Sequence, residues 1–122
     1  MKALVIDDEP AMRTVVAAIL KEAGYEVAEA ADGRQGLAQF SALHPDLVIT
    51  DIVMPNEEGI GVIRQMRKLQ PDLKIIAISG GGRGGKLDFL QIAKEFGAAA
   101  TLAKPFRKQE LLQAIKLATG QQ

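Results

Sequence analysis

Five short strand-like runs, separated by stretches with helical spacing, constrain this chain more than any other feature. Ala3-Leu4-Val5-Ile6, Leu47-Val48-Ile49, Ile75-Ile76-Ala77-Ile78 and Ala98 to Ala103 are nearly unbroken apolar runs. Runs of this length, each ended by polar or glycine residues, read as strands buried on both faces. The last is rich in alanine, a poor strand former. The second in chain order, Glu26-Val27-Ala28-Glu29-Ala30, alternates instead, as an edge strand with one wetter face would.

The intervening segments carry apolar residues at helical spacing. Pro10 to Ala23 has Met12, Val15, Val16, Ile19 and Leu20, with Pro10 suited to a first turn and Gly24 to a stop. Gly33 to Leu43, closed by His44-Pro45, is a second helix. Glu58 to Lys68 is a third, Leu87 to Phe96 a fourth, and Lys108 to Thr119, stopped by Gly120, a fifth. Strict βα alternation implies parallel strands joined by right-handed crossovers. The expected architecture is α/β: a five-stranded parallel sheet with helices on both faces, in the flavodoxin-like, doubly wound order 2-1-3-4-5. These elements use up residues 1–122, so one domain is expected, with no linker and no output domain.

Composition narrows the function classes. Lys plus Arg and Asp plus Glu are 15 each, so the formal net charge is zero; no basic excess points to nucleic acid. Cysteine is absent, which excludes disulfides and thiolate metal sites. No apolar run approaches the ~18 residues of a membrane span. Acidic residues follow Met1-Lys2-Ala3-Leu4-Val5-Ile6 too soon for a signal peptide. A cytoplasmic location is expected.

The chemistry falls where such a fold binds ligands, outside the carboxyl ends of the strands. Strand 1 ends in Asp7-Asp8, strand 3 in Asp51, strand 4 in Ser79 and strand 5 in Lys104-Pro105. Neighbouring strands lie ~4.8 Å apart, so these ends share one crevice, with the stem of Lys104 long enough to reach Asp51. Carboxylates gathered at one rim repel, by about 4 kcal/mol for unit charges ~4 Å apart at an effective dielectric of about 20. Either one of them is protonated or a cation sits among them. Lys104 is one cation; Mg²⁺, a hard ion that keeps several waters, suits the rest. A metal and a lysine facing a free carboxylate make a phosphate cradle. The plainer alternative is that these aspartates cap helices.

The residues together resemble a known family, the receiver domains of two-component response regulators. The matching pieces are Val5-Ile6-Asp7-Asp8-Glu9-Pro10, Pro45-Asp46-Leu47-Val48-Ile49-Thr50-Asp51, Met54-Pro55, Gly59, Ile78-Ser79 and Lys104-Pro105-Phe106. The order 2-1-3-4-5 is also that of a chemotaxis receiver, so resemblance and topology are not independent. The resemblance implies a phosphoacceptor switch of the single-domain, chemotaxis-regulator type and not an enzyme, at most dephosphorylating itself slowly. It implies that Asp51 takes phosphate from the phosphohistidine of a sensor histidine kinase or phosphotransfer protein. It implies that Asp7, Asp8, Asp51 and the backbone carbonyl of Val53 hold Mg²⁺, and that Lys104 and Ser79 engage the phosphoryl oxygens. It also implies a cis Lys104–Pro105 bond and a downstream partner on the face spanning Leu87 to Thr119.

Some residues depart from that pattern. Thr101 stands where the family often has an aromatic switch residue, so coupling to the surface is expected to differ. This motivates a second reading, an interaction module that works without phosphorylation. Val53 and Gly81 occupy two positions that tune dephosphorylation and offer no polar side chain. The loop Gly80 to Lys86 satisfies both GxxxxGK and GxGxxG. Leu87 stands where a nucleotide loop needs Ser or Thr, and no acidic residue ends the next strand to hold a ribose. A loop that moves with Ser79 fits better. His44 reads as a surface histidine at the far end of the sheet, and Arg64, Arg67 and Lys68 as a solvated basic face.

Overall fold

The runs Ala3 to Ile6, Leu47 to Ile49 and Ile75 to Ile78 are buried throughout and must find their backbone partners in other strands, whereas the alanine-rich run, expected to be buried on both faces, is only partly buried because it forms an edge of the sheet. The structure, a computed structural model, describes residues 1–54, 57–79, 94 and 97–120. Strands β1 (Lys2–Ile6), β2 (Glu26–Ala30), β3 (Leu47–Asp51), β6 (Lys74–Ser79) and β7 (Ala100–Ala103) form one parallel sheet in the order β2-β1-β3-β6-β7. Counting only these strands, that is the expected order 2-1-3-4-5. The alternating strand β2 lies at an edge, as its pattern indicated, and β3, buried throughout, lies at the centre.

Helices α1 (Pro10–Glu22), α2 (Gly33–Leu43), α3 (Gly59–Leu69) and the C-terminal α4 (Lys108–Thr119) match four of the five expected helices to within a residue or so. The remaining one, Leu87 to Phe96, lies outside the described residues apart from Lys94, which is helical. The loop Gly80 to Lys86, with Gly81, also lies outside them. The sequence pattern missed a two-stranded antiparallel ribbon, β4 (Val53–Met54) with β5 (Glu57–Glu58). Strands of two residues are too short to show a period.

Alternation along the strands sorts the core into two layers. Leu4, Ile6, Val48, Ile75 and Ala77 pack with Phe40 of α2 and Val62, Ile63 and Met66 of α3. Ala3, Val5, Leu47, Ile49, Ile76 and Ile78 pack with Val16, Ile19 and Leu20 of α1 and Leu111, Ala114 and Ile115 of α4. Helices therefore cover both faces of the sheet.

One basic residue departs from expectation. Arg67 is not part of a solvated face. Its guanidinium donates to the carbonyls of Pro71, Leu73 and Gly97, tying the end of α3 to the approach to β7. The planar fork suits carbonyls converging from different directions, a convergence that exists only in the folded chain. Gly97 has φ +113°, and a Cβ there would stand 2.8 Å from Arg67 Nε. The approach of the arginine thus depends on a glycine.

Candidate functional site

Strand register sets the site. Ile6 pairs with Thr50, so Asp7 follows beside Asp51. Asp51 pairs with Ile78, the residue before Ser79. Ser79 pairs with Ala103, the residue before Lys104, and the Lys104 N–H donates to the Ser79 carbonyl at 2.9 Å. Asp7 continues the row of Ala3 and Val5, and Asp51 that of Leu47 and Ile49, so both stand on the same side of the sheet.

The carboxylates of Asp7, Asp8 and Asp51 come together, one oxygen of each lying within 4.8 Å of the others. Asp7 and Asp51 are buried and Asp8 is exposed. The Lys104 ammonium reaches them as its length allowed: Nζ lies 2.9 Å from Asp7 Oδ2 and 3.1 Å from Asp51 Oδ2. Burial by itself would lower the Lys104 pKa. Hydrogen bonds to Glu9 and Asp7, then the charge of Asp51 and its hydrogen bond, outweigh that and hold the pKa above the ordinary lysine value. The Lys104–Pro105 bond is cis.

The plain helix-capping alternative does not describe these acids. The N-cap of α1 is Glu9, and no side chain caps it. Asp7 Oδ1 accepts instead from the Glu9 N–H at 2.9 Å, a bond that fixes the turn out of β1. Arg13, on the first turns of α1, donates to the Asp7 carbonyl at 2.7 Å and pairs with Glu29 of β2 at 3.3 Å. It pins that turn from the other side.

Ser79 is completely buried, and its Oγ has no hydrogen-bond partner among the described residues. An unpaired buried hydroxyl is costly, and this one stands at the rim where the acids meet. Val53 lies in β4, two residues past Asp51. Thr101 lies in β7 and, with Leu102, Gln109, Gln113 and Leu117, lines a surface cavity of about 550 Å³ against α4. His44 ends α2 in the left-handed region at φ 52°, just before the amino end of β3 and so away from Asp51.

Two residues of this neighbourhood had no role in the sequence reading. Glu9 Oε1 lies 2.6 Å from Lys104 Nζ. Its place in the run Asp7-Asp8-Glu9 was the available signal. Arg13 had none, because its partners come from two separate strands.

Octahedral Mg²⁺ bonds of about 2.1 Å put opposite ligand oxygens about 4.2 Å apart. Three oxygens within 4.8 Å, one of them exposed, fit such an ion with little movement. Among the described residues no helix is long and apolar enough to cross a membrane.

Comparison with known proteins agrees with this geometry. The family model for the response regulator receiver domain matches residues 3–116. The sporulation initiation phosphotransferase F of Bacillus subtilis is 32% identical over 115 residues, covering 94% of this chain and 90% of that protein. The chemotaxis protein CheY of Thermotoga maritima is 36% identical over 115 residues, covering 93% of each. A crystal structure of a receiver domain protein from Clostridium thermocellum superposes with a TM-score of 0.87 at 35% identity, covering 98% of this chain and 94% of that one.

Proposed function

Because the chain belongs to the response regulator receiver domains of two-component signalling, we propose that it is a phosphoacceptor switch with Asp51 as the acceptor. The observation that carries this reading is the Lys104 ammonium, held within 3.1 Å of both Asp7 and Asp51 beside the exposed carboxylate of Asp8. The phosphodonor is the phosphohistidine of a sensor kinase or phosphotransfer protein. An Asp51 carboxylate oxygen attacks phosphorus in line. The P–N bond breaks, its electron pair stays on the imidazole, and an acyl phosphate forms on Asp51. Asp7, Asp8, Asp51 and the Val53 carbonyl would hold Mg²⁺, which would supply neutralisation of charge on the transferring group. Lys104 neutralises the same charge with its ammonium.

The product adds charge and acceptor oxygens. The Ser79 hydroxyl, which has no partner among the described residues, is a ready donor to one of them, and Lys104 to another. A hydrogen bond to a charged group contributes ~1.5–3 kcal/mol, enough to shift a two-state equilibrium about ten- to a hundredfold. Motion of Ser79 and Lys104 is passed along β6 and β7 towards α4, so a cytoplasmic partner docking on residues 87–119 reads the state.

Incubation with Mg²⁺ and acetyl phosphate, followed by intact-mass measurement, tests the reading. The expected result is a gain of one phosphate, lost on acid or base treatment and absent in Asp51→Asn. No gain, or equal labelling of Asp51→Asn, would refute it. Partner binding that is identical in native chain and Asp51→Asn would favour the phosphorylation-independent module.

A further inference from the structure

Lys104 is fully engaged before any phosphoryl group arrives. Its ammonium has three protons to donate, and three carboxylate oxygens surround it: Glu9 Oε1 at 2.6 Å, Asp7 Oδ2 at 2.9 Å and Asp51 Oδ2 at 3.1 Å. A phosphoryl oxygen approaching Asp51 can take Lys104 only when one of the three releases it.

The three differ in what release costs. Until the bond to phosphorus forms, Asp51 is a carboxylate like Asp7; the Asp7 and Asp51 side chains are 3% and 5% exposed, and a buried carboxylate stripped of its cation is strongly destabilised. The Glu9 side chain is 61% exposed, so water takes over its solvation when the contact breaks. Glu9 is therefore the contact that yields.

Among the described residues the Glu9 carboxylate has no other task. Glu9 is the N-cap of α1, but its side chain makes no capping bond. Its backbone does the structural work: the N–H donates to Asp7 Oδ1 and the carbonyl accepts from the Arg13 N–H. Those bonds hold the residue in place while its side chain leans to Lys104 at the mouth of the pocket.

We propose that Glu9 is a positioning residue that holds Lys104 in the unphosphorylated state and competes with the incoming phosphoryl group for it, so setting how readily Asp51 is phosphorylated. The proposal rests on the phosphoacceptor reading of Asp51. With acetyl phosphate as donor, the Asp51–phosphorus bond forms and the bond from phosphorus to acetate oxygen breaks. Acetate leaves with the electron pair. Lys104 passes from Glu9 to a phosphoryl oxygen, and no proton changes hands.

Initial rates of phosphate gain, measured by intact mass at saturating Mg²⁺, test this in the native chain and in Glu9→Gln. They are taken in low salt and again at about 1 M, where the Debye length is about 3 Å. Glutamine keeps the shape and loses the charge. The expected rate is about two- to fivefold above native in low salt, the range of an exposed ion pair, and smaller but still above native at high salt, where a direct contact is attenuated and not abolished. In a Lys104→Gln background the same substitution is expected to change nothing. An unchanged or slower rate in Glu9→Gln overturns the proposal. So does a gain confined to low salt, or an equal gain without Lys104, because either assigns the effect to general repulsion of the anionic donor. If the native chain itself gains no phosphate, the phosphoacceptor reading falls first. Native labelling with no acceleration in Glu9→Gln removes the role of Glu9 alone.

Discussion

Tyr25 carries a hydroxyl that is shut away from water and has no partner among the described residues. Burial, and then the charge of Asp46, raises its pKa. An unpaired buried hydroxyl costs ~1–3 kcal/mol, and the ring packs among Ala3, Val5 and Leu20 whether or not it bears oxygen. Tyr25→Phe is expected to stabilise the fold by about 1 kcal/mol in urea unfolding. The same variant is the right background for titrating Lys104. The folded pKa of Lys104 lies above its unfolded value, so the folded state binds the extra proton in the window between them. Stability from this group is thus complete below the ordinary lysine value of about 10.4 and is lost as pH rises through the folded value. Unfolding of Tyr25→Phe followed from neutral to strongly alkaline pH is expected to show that fall, and Lys104→Gln in the same background to flatten it. A raised Tyr25 pKa acts in the same direction, which is why the tyrosine is removed first. At this scale Asp7, Asp8, Asp51, Ser79 and Lys104 were legible as residue types at strand ends. The orphaned hydroxyl of Tyr25 was not, because nothing in a sequence records the lack of a partner.

Among the elements, α2 begins with a reciprocal arrangement. Asp32 Oδ1 accepts from the Gln35 N–H at 2.8 Å, and Gln35 Oε1 accepts from the Ala31 N–H at 2.9 Å. Asp32→Ala leaves the first helical N–H groups without that acceptor and is expected to cost about 1 kcal/mol of stability in urea unfolding. It should leave phosphate labelling of Asp51 unaltered, since α2 supplies no group to the site. Helix α4 starts in a related way, with Glu110 Oε1 accepting from the Arg107 N–H at 2.7 Å. Helix boundaries were legible because their signals are local: Pro10, Gly24 and Gly120 act on their own turns. Arg67 shows the limit of local reading. Its spacing on α3 suggested a solvated charge, but the carbonyls it binds belong to segments up to thirty residues away. The β4–β5 ribbon escaped for a related reason: two residues carry no period, and only their pairing makes them strands.

For the whole molecule, the acidic pocket is both a candidate site and a stability problem. Asp7, Asp51 and Glu9 surround the Lys104 ammonium, with the Asp8 carboxylate beside Asp7 and Asp51. Carboxylates 4.8 Å apart repel by about 3–4 kcal/mol at an effective dielectric of about 20. Mg²⁺ binding to the folded state should relieve this, adding about 2.7 kcal/mol when the free ion reaches about 100 times its Kd. Calorimetry with and without Mg²⁺ is expected to show a higher Tm with the ion, and Asp8→Asn to lose most of the gain. An equal gain in Asp8→Asn would place the ion elsewhere. The sequence by itself determined the alternation of strands and helices, the edge position of β2 and the supply of acids, a hydroxyl and a lysine at the strand ends, because burial and propensity act on neighbouring residues. Only the tertiary structure decided that Asp7 and Asp51 share one side of the sheet, that Ser79 is left without a partner among the described residues and that Glu9 occupies Lys104. Those facts depend on strand register and on distances between groups as much as 95 residues apart, which no local pattern encodes.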